Sequence, residues 1–323
     1  MKDKWNRTIN YMRISVIDQC NLRCCYCMPE EGIPFLKEAE LLSFEEILEI
    51  VKAGTKLGID KIKITGGEPL LRKNISQLIT KMKSIHGIKQ VTLTSNGVLL
   101  NKYALLLRQA NVDSININLP ALSKEKYESI TRRNEFEQVM EGIQKASELG
   151  IHIKINCVSR KTITDEELLS YADMIKKEEM DVRFIEMMPL GHGRDYETYN
   201  NDFIKKRLET LLKTKLVQLD YRGNGPALYY QIEGHKGKIG FISAVTHKFC
   251  NECNRIRLSA QGDMKLCLNF EKGVSLKHVL RYGESKELVK IMEQAIYDKP
   301  QGHCFYSTSE LPTEHKNMVQ IGG

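Results

Sequence analysis

Between residues 11 and 186, short runs of β-branched residues alternate with longer amphipathic segments, and this alternation constrains the fold most. The candidate strands are 11–17, 61–65, 89–94, 114–118, 152–158 and 182–186. The candidate helices are 43–56, 74–84, 102–110, 124–149 with a break, and 165–178. Strands that alternate with helices predict a parallel sheet with right-handed crossovers. Both a six-unit partial barrel and a doubly wound sheet satisfy this pattern.

Length and composition narrow the class of protein. The chain has 323 residues, of which 41% are hydrophobic and 28% charged, as in ordinary globular proteins. No apolar run is long enough to span a bilayer, and residues 1–10 lack a signal-peptide core. We therefore expect a cytosolic protein, in which nine cysteines are more readily metal ligands than disulfides. The net charge of +7 comes without a concentrated Lys/Arg tract, which favours an anion held in a pocket over nucleic acid or membrane.

Four thiols lie within eight residues directly after the first candidate strand. Cys20, Cys24 and Cys27 have the spacing C-x3-C-x2-C, and Cys25 adjoins the second of them. Three cysteines are one too few for a closed cluster, and an open iron can coordinate a small molecule. The alternative is a zinc site in which Cys25 is the fourth ligand.

A second incomplete triad follows far along the chain. Cys250 and Cys253 have the spacing C-x2-C, and thirteen residues separate Cys253 from Cys267. His247 would complete a zinc site of three thiolates and one imidazole, so the residues alone leave zinc and an iron–sulfur cluster open. Two incomplete triads in one chain favour two clusters, each with an open iron.

Two further patterns are suited to anionic or charged ligands. Gly66-Gly67-Glu68-Pro69 follows the second strand, where glycines allow close backbone approach, although the same residues also make an ordinary strand-to-helix turn. Arg255 and Arg257 lie two residues apart, so on an extended segment they face the same way. With Arg13 they would form a cage for a triphosphate, the alternative being a solvated strand face.

The motif C-x3-C-x-Y-C, with the GGEP segment after it, resembles the signature of the radical S-adenosylmethionine superfamily. This resemblance implies an incomplete (β/α)6 partial barrel, with a [4Fe-4S] cluster on Cys20, Cys24 and Cys27. It also implies that S-adenosylmethionine occupies the fourth iron and contacts Tyr26, Gly67 and Met188, and that Cys25 is a spare thiol. The run 116–122 departs from the superfamily pattern: Asn118 stands where a serine contacts the cofactor, and Pro120 replaces an aspartate.

The C-x2-C-x13-C spacing, the run 254–258 and the final Ile321-Gly322-Gly323 resemble the GTP 3′,8-cyclase family, which acts in molybdenum cofactor biosynthesis. The resemblance implies a second [4Fe-4S] cluster on Cys250, Cys253 and Cys267. It implies substrate positioning by Arg13, Arg255 and Arg257 and a double glycine that reaches toward the active site. The implied GTP contacts are Arg13, Lys63, Thr94, Lys154, Arg255 and Arg257. No side chain is assigned as catalytic, because the radical arises at the first cluster.

The resemblance also implies the reaction. A 5′-deoxyadenosyl radical takes the 3′ hydrogen of GTP, and the ribose carbon attacks C8 of guanine to give (8S)-3′,8-cyclo-7,8-dihydroguanosine 5′-triphosphate. Implied partners are GTP, an electron donor that the sequence does not identify and a downstream cyclic pyranopterin synthase; a homodimer is allowed. The alternatives are another radical enzyme with an auxiliary cluster, of the peptide-maturase type, and a non-catalytic zinc-stabilised nucleotide-binding protein.

The regular alternation of candidate strands and helices ends after residue 186, which predicts a second region. Residues 201–212 are helical, and the run 222–226 reads as a break. We expect a partial barrel over residues 1–220 and a smaller region over 221–323 that carries the second cluster and binds GTP.

Overall fold

The computed structural model describes residues 1–221, 223–283, 285–305 and 314–322. Six strands alternate with helices in its first part. The strands are β1 (Tyr11–Ser15), β2 (Lys61–Thr65), β3 (Gln90–Ser95), β4 (Ser114–Asn118), β5 (Ile153–Val158) and β6 (Asp181–Ile185). The helices are α1 (Phe44–Lys56), α2 (Ile75–Lys83), α3 (Leu100–Gln109), α4 (Lys124–Thr131), α5 (Phe136–Glu148), α6 (Asp165–Lys177) and α7 (Asn201–Leu212).

The later part of the chain is mostly strands. They are β7 (Val217–Gln218), β8 (Leu228–Gln231), β9 (Lys238–Ile242), β10 (Arg255–Leu258), β11 (Asp263–Lys265) and β12 (Gly273–Ser275). Two helices follow, α8 (Leu276–Tyr282) and α9 (Ser285–Tyr297). Among the described residues, no helix combines the length and apolar character needed to cross a membrane.

All twelve described strands form one sheet in the order β12-β11-β10-β1-β2-β3-β4-β5-β6-β9-β8-β7. Strands β1 to β6 are neighbours in chain order and pair in parallel. Parallel strands in sequential order are a barrel arrangement, whereas a doubly wound sheet reverses its order at a switch point. The partial barrel is therefore confirmed, and it stays open, because its edge strands β12 and β7 do not pair with each other in the described part.

The chain after residue 221 extends the barrel sheet at both edges. Strand β10 pairs in parallel with β1, and β9 pairs in parallel with β6. Hairpin partners then continue outward, with β11 against β10 and β8 against β9 in antiparallel pairs. The residue patterns of β1 and β6 do not indicate which distant strands will pair with them. The sequence therefore did not predict that β10 and β9 extend the sheet.

Local signals explain where several helices begin and end. Ser43 and Glu46 form the predicted capping box at the start of α1, and Thr164 and Glu167 form another at α6. The break expected within 124–149 falls where Arg132 adopts a left-handed backbone with φ 56° after α4. A large apolar core lies between the sheet and these helices, which leaves the inner face of the sheet for polar side chains.

Candidate active site between two cysteine triads

One cavity of about 510 Å³ lies inside the open barrel. Its lining includes every predicted site residue: Cys20, Cys24, Cys27, Tyr26, Gly67, Asn118, Met188, Arg13, Lys63, Thr94, Lys154, Arg255, Arg257, Cys250, Cys253 and Cys267. Both triads therefore face the same enclosed space, although more than two hundred residues separate them in the chain.

The first triad lies beyond the carboxyl end of β1, against the glycine turn that follows β2. Gly67 N–H donates to the Ile17 carbonyl at 2.7 Å, and Glu68 N–H donates to the Gln19 carbonyl at 2.7 Å. A Cβ at Gly67 would lie 2.1 Å from the Gln19 oxygen, closer than real Cβ atoms approach. The turn therefore needs glycine so that the backbone can hold the segment leading into Cys20.

The thiols of the first triad, buried at Cys24 and half-buried at Cys20 and Cys27, all have raised pKa values without a metal. Burial, with the nearby Glu68 charge, raises the pKa of Cys20 to about 11, and burial raises the pKa of Cys27 to about 12. Asn96 Nδ2 lies 3.7 Å from the Cys20 sulfur, and the Val319 backbone hydrogen-bonds Cys27. Metal binding must therefore displace protons here, as is usual for thiolate ligands.

The predicted S-adenosylmethionine contacts lie beside this triad. Asn118 Nδ2 donates to the Tyr26 hydroxyl at 3.0 Å, so the residue that departs from the superfamily pattern contacts another predicted cofactor residue directly. Met188 packs against the small cluster of Leu190, Leu268, Phe305 and Ile321. Pro120 is absent from the cavity lining; its carbonyl accepts from Arg160 instead.

Glu68 is buried behind the glycine turn. Its carboxylate accepts from Leu70 N–H at 3.0 Å, Ser95 Oγ at 2.9 Å and Asn96 N–H at 2.7 Å. Burial raises the pKa of Glu68 to about 7, while these donors pull it down. Glu68 thus ties the ends of β2 and β3 together behind the cofactor residues.

The extra ligands of the two zinc alternatives lie elsewhere. The Cys25 thiol contacts Tyr196, outside the cavity lining. His247 Nε2 lies 2.7 Å from Asp202 Oδ2, and its side chain is 60% exposed. Within the described ranges, no three His, Cys, Asp or Glu side chains are close enough to hold one metal ion. Neither Cys25 nor His247 lines the cavity that the two triads share.

The second triad has a different electrostatic setting. Cys250 begins a short 3₁₀ turn that ends at Cys253, and Cys267 follows β11. Burial raises the pKa of Cys253, but Lys299 and Arg255 outweigh it and bring that pKa down to about 7. The leading charge effect thus differs in sign between the two triads: Glu68 raises the pKa of Cys20, and Lys299 lowers the pKa of Cys253.

Arginines and lysines line the cavity between the triads. Arg13 has two register partners, Arg257 on β10 and Lys63 on β2, so three cations share one row across neighbouring strands. Burial and mutual repulsion hold the pKa of Lys63 and of Arg257 well below their usual values. Such a row is electrostatically unfavourable without an anion and suits a ligand of high negative charge.

Lys154 and Thr94 lie further round the barrel. Asn116 on β4 is the register partner of both residues. Lys154 Nζ lies 3.3 Å from Asp181 and 5.5 Å from the centre of the Tyr229 ring. Asp181 orients the lysine but is absent from the cavity lining.

Several lining residues were missed by the sequence prediction. Arg183 on β6 donates to Asn156 Oδ1 at 2.6 and 3.0 Å, and both residues line the cavity. The available signal was a cation in the middle of an apolar strand, the pattern that also marks Arg13 and Lys63. Lys299 lines the cavity as well, and it lies outside any pattern that the motifs address.

Carboxylates are scarce around this space. Glu186 is the one acidic residue in the described lining. Its oxygens accept from the backbone N–H groups of Asn201, Val245 and Thr246 and from the Thr246 hydroxyl. Because Glu186 is fully engaged, the cavity presents an excess of positive charge.

The first triad fits a cluster with one open metal corner. Cys20, Cys24 and Cys27 supply three thiols on one wall, and the remaining wall is the cavity with the glycine turn and Tyr26. Cys25, the only other thiol in this stretch, points to Tyr196. The donor set thus matches three protein ligands and one position for a small molecule.

Two families match this chain. Residues 14–175 match the Radical SAM superfamily, and residues 180–305 match Molybdenum Cofactor Synthesis C. Solved structures share the fold. SuiB of Streptococcus suis, in a structure bound to S-adenosylmethionine, has a TM-score of 0.64 at 16% identity over 97% of this chain and 77% of its own. Methylornithine synthase (PylB) has a TM-score of 0.51 at 16% identity over 89% and 82%.

Curated relatives are similar over their full length. A GTP 3′,8-cyclase of Petrotoga mobilis is 41% identical, and one of Thermodesulfovibrio yellowstonii is 44% identical, each over 100% of both chains. Another, from Clostridium perfringens, is 40% identical over the same coverage. These similarities decide against the peptide-maturase and non-catalytic zinc alternatives, and the chain belongs to the GTP 3′,8-cyclase family of radical S-adenosylmethionine enzymes.

Proposed function

We propose that this chain converts GTP to (8S)-3′,8-cyclo-7,8-dihydroguanosine 5′-triphosphate in molybdenum cofactor biosynthesis. One observation carries the proposal: two cysteine triads and seven Lys and Arg side chains line a single cavity of about 510 Å³. These seven residues are Arg13, Lys63, Lys154, Arg183, Arg255, Arg257 and Lys299. A cofactor at one triad and a nucleoside triphosphate at the other would be held next to each other.

The residues around the first triad hold the cofactor end. Cys20, Cys24 and Cys27 would bind the [4Fe-4S] cluster, with Tyr26, Gly67, Asn118 and Met188 around S-adenosylmethionine. When bound, the cluster and S-adenosylmethionine supply a 5′-deoxyadenosyl radical, which removes the ribose 3′ hydrogen so that C3′ bonds to C8 of guanine. The chain's own contribution is to position both ligands and exclude water.

The cation-lined side holds the triphosphate. Arg13, Arg255 and Arg257 offer guanidinium donors suited to phosphate oxygens, with Lys63 and Lys154 as further charges and Thr94 as a hydroxyl partner. Cys250, Cys253 and Cys267 would hold a second [4Fe-4S] cluster, and its fourth iron would be available to the guanine. Support for that cluster is the incomplete thiol set and its place in the cavity wall.

The carboxyl-terminal segment forms part of the same wall. The Gly322 carbonyl accepts from Arg257 at 3.2 Å and from the Thr65 hydroxyl at 3.3 Å. Gly323 lies outside the described residues. We propose that the double glycine helps to seat Arg257 against the substrate, and unchanged cyclisation after deletion of residues 322–323 would refute this role.

The remaining assignments extend this proposal. Residues 1–220 would form the cofactor-binding barrel and 221–323 the region for the second cluster and GTP. The expected partners are GTP, an electron donor, a cyclic pyranopterin synthase that takes the product and a second subunit in a homodimer. A cytoplasmic location is supported by the nine cysteines, all of them free thiols in the structure.

Anaerobic incubation with GTP, S-adenosylmethionine and dithionite tests the proposal. We expect 5′-deoxyadenosine and the cyclised nucleotide together. Iron and sulfide analysis should give about eight irons per chain for two [4Fe-4S] clusters. Formation of 5′-deoxyadenosine without a cyclised nucleotide would reject GTP as substrate, and stoichiometric zinc would reject the mechanism.

A further inference from the structure

Lys299 is a buried cation in the cavity wall next to the second triad. It follows α9 and is 2% exposed, and its Nζ donates to the carbonyl of Leu266, the residue before Cys267. Among the described residues, its ammonium forms no ion pair with a carboxylate. Burying a charge without an opposite charge is strongly unfavourable, so an anion is expected beside it.

The thiols of the second triad are candidates for that anion, because they line the same cavity as Lys299 and Lys299 contacts the residue before Cys267. Cys253 and Cys267 are the first two charged groups that raise the pKa of Lys299 against the effect of its burial. In return, Lys299 is the leading charge that lowers the pKa of Cys253. These effects agree with the placement of Lys299 and the three thiols in the lining of one cavity.

The amino-terminal segment fixes the backbone around Lys299. Arg7 forms a buried ion pair with Asp3 at 2.6 Å, and its guanidinium donates to the Cys250 carbonyl at 2.8 Å. It also donates to the carbonyls of Pro300 and Gln301, at 2.7 and 2.6 Å. Trp5 Nε1 donates to the Lys299 carbonyl at 3.0 Å. Hydrogen bonds from Arg7 and Trp5 therefore connect Cys250, the first cysteine of the triad, to the backbone of residues 299–301.

The other cations near this triad have different partners. Arg7 is neutralised by Asp3, and Arg255, which stacks at 5.0 Å over Phe249, is proposed above to bind phosphate. Lys299 alone of the three has neither a carboxylate nor a predicted phosphate to balance it. Its charge is therefore available to the triad itself.

We propose that Lys299 is a positioning residue that serves as the buried counter-charge of the second cluster and raises its reduction potential. The inference rests on the proposed second cluster. A positive charge fixed beside a cluster favours the reduced form, which carries one more electron, and surrounding charge is one of the levers that set such potentials. At the first triad the leading charge effect on Cys20 comes from Glu68 and raises its pKa, with Arg23 acting in the opposite sense.

The test measures the second cluster alone. The parent protein is the full chain with Cys20, Cys24 and Cys27 all replaced by Ala. In this parent, Lys299→Gln removes the positive charge but keeps a hydrogen-bond donor for the Leu266 carbonyl. Lys299→Arg keeps the positive charge. Dithionite titration under anaerobic conditions, followed by electron paramagnetic resonance, gives the midpoint potential. Lys52→Gln, on the exposed face of α1, is the matched control.

We expect Lys299→Gln to lower the equilibrium constant for one-electron reduction about tenfold, a shift of about 59 mV to more negative potential. Lys299→Arg and Lys52→Gln should keep the parent potential. An unchanged potential in Lys299→Gln at full iron content would overturn the proposal. If Lys299→Gln loses iron, retention by Lys299→Arg supports the charge requirement, whereas equal loss in both indicates packing and overturns it.

The iron content of the parent protein tests the second cluster independently of the Lys299 variants. The parent chain without the first triad should bind about four irons. Zinc or no iron in that parent protein would reject the second cluster, whatever the Lys299 variants do.

Discussion

Arg13 and Arg257 are register partners on the parallel strands β1 and β10, with their side chains in one cavity wall. Arg257 also donates to the Gly322 carbonyl at 3.2 Å. Two half-buried guanidiniums side by side repel each other, and loss of hydration together with Arg13 holds the pKa of Arg257 well below its usual value. A polyanion between them would relieve that repulsion.

Replacing Arg257 with Ala should therefore weaken GTP binding. Loss of one charge-assisted contact costs about 1.5–3 kcal/mol, or roughly 10- to 100-fold in Kd. Anaerobic calorimetry with GTP measures it, and the Arg13→Ala/Arg257→Ala double variant should lose less than the sum, because the two residues share phosphates.

Arg281→Ala is the matched control, since Arg281 lies on α8 and pairs with Glu46 away from the cavity. Equal GTP affinity in Arg257→Ala and Arg281→Ala would contradict the phosphate assignment.

Replacing Gly67 with Ala should disrupt the first cluster site. The added Cβ would lie 2.1 Å from the Gln19 oxygen, so the backbone that leads into Cys20 has to shift. We expect loss of iron at the first triad and of S-adenosylmethionine cleavage, measured by iron analysis and 5′-deoxyadenosine formation. Gly225→Ala, where nothing lies within 4 Å of the new Cβ, should retain its iron; similar iron loss in both variants would argue against this explanation.

Replacing Cys25 with Ser should leave the first cluster intact. Its thiol contacts Tyr196 and does not line the cavity, whereas the neighbouring Cys24 does. Cys24→Ser should abolish 5′-deoxyadenosine formation, and Cys25→Ser should retain it with full iron and sulfide content. Loss of iron on Cys25→Ser comparable with Cys24→Ser would return Cys25 to the ligand set.

The metal-free protein should show different thiol reactivity at the two triads. A thiol with its pKa lowered to about 7, such as Cys253, is mostly thiolate at pH 8, and the thiolate is the nucleophile. Cys20, with a pKa raised to about 11, stays protonated there. Iodoacetamide labelling followed by peptide mass spectrometry should modify Cys253 first, with a rate that rises through pH 7; earlier labelling of Cys20 would contradict the charge assignment.

Local elements were predictable because their signals are local. Strands 61–65 and 114–118 were placed at their observed bounds, since each is a β-rich run that ends at a turn. The start of α1 followed from the Ser43 capping box. Strand β9 beside β6 and strand β10 beside β1 were not predictable, because pairing depends on partners distant in the chain.

The same distinction holds for the site. The spaced cysteines and the glycine turn are motifs, so they could be recognised from sequence. Lys299 lies outside any sequence motif, and Arg183 is marked only as a cation within the apolar strand β6; folding brings both to the cavity. The opposite charges near the two triads, Glu68 and Lys299, likewise emerge only from packing.

GTP carrying deuterium at C3′ of its ribose tests the central claim most directly. In anaerobic turnover with S-adenosylmethionine and dithionite, the account predicts deuterium in 5′-deoxyadenosine and its loss from the cyclised nucleotide, both read by mass spectrometry. Deuterium retained in the nucleotide, with unlabelled 5′-deoxyadenosine, would contradict abstraction from C3′ in this cavity.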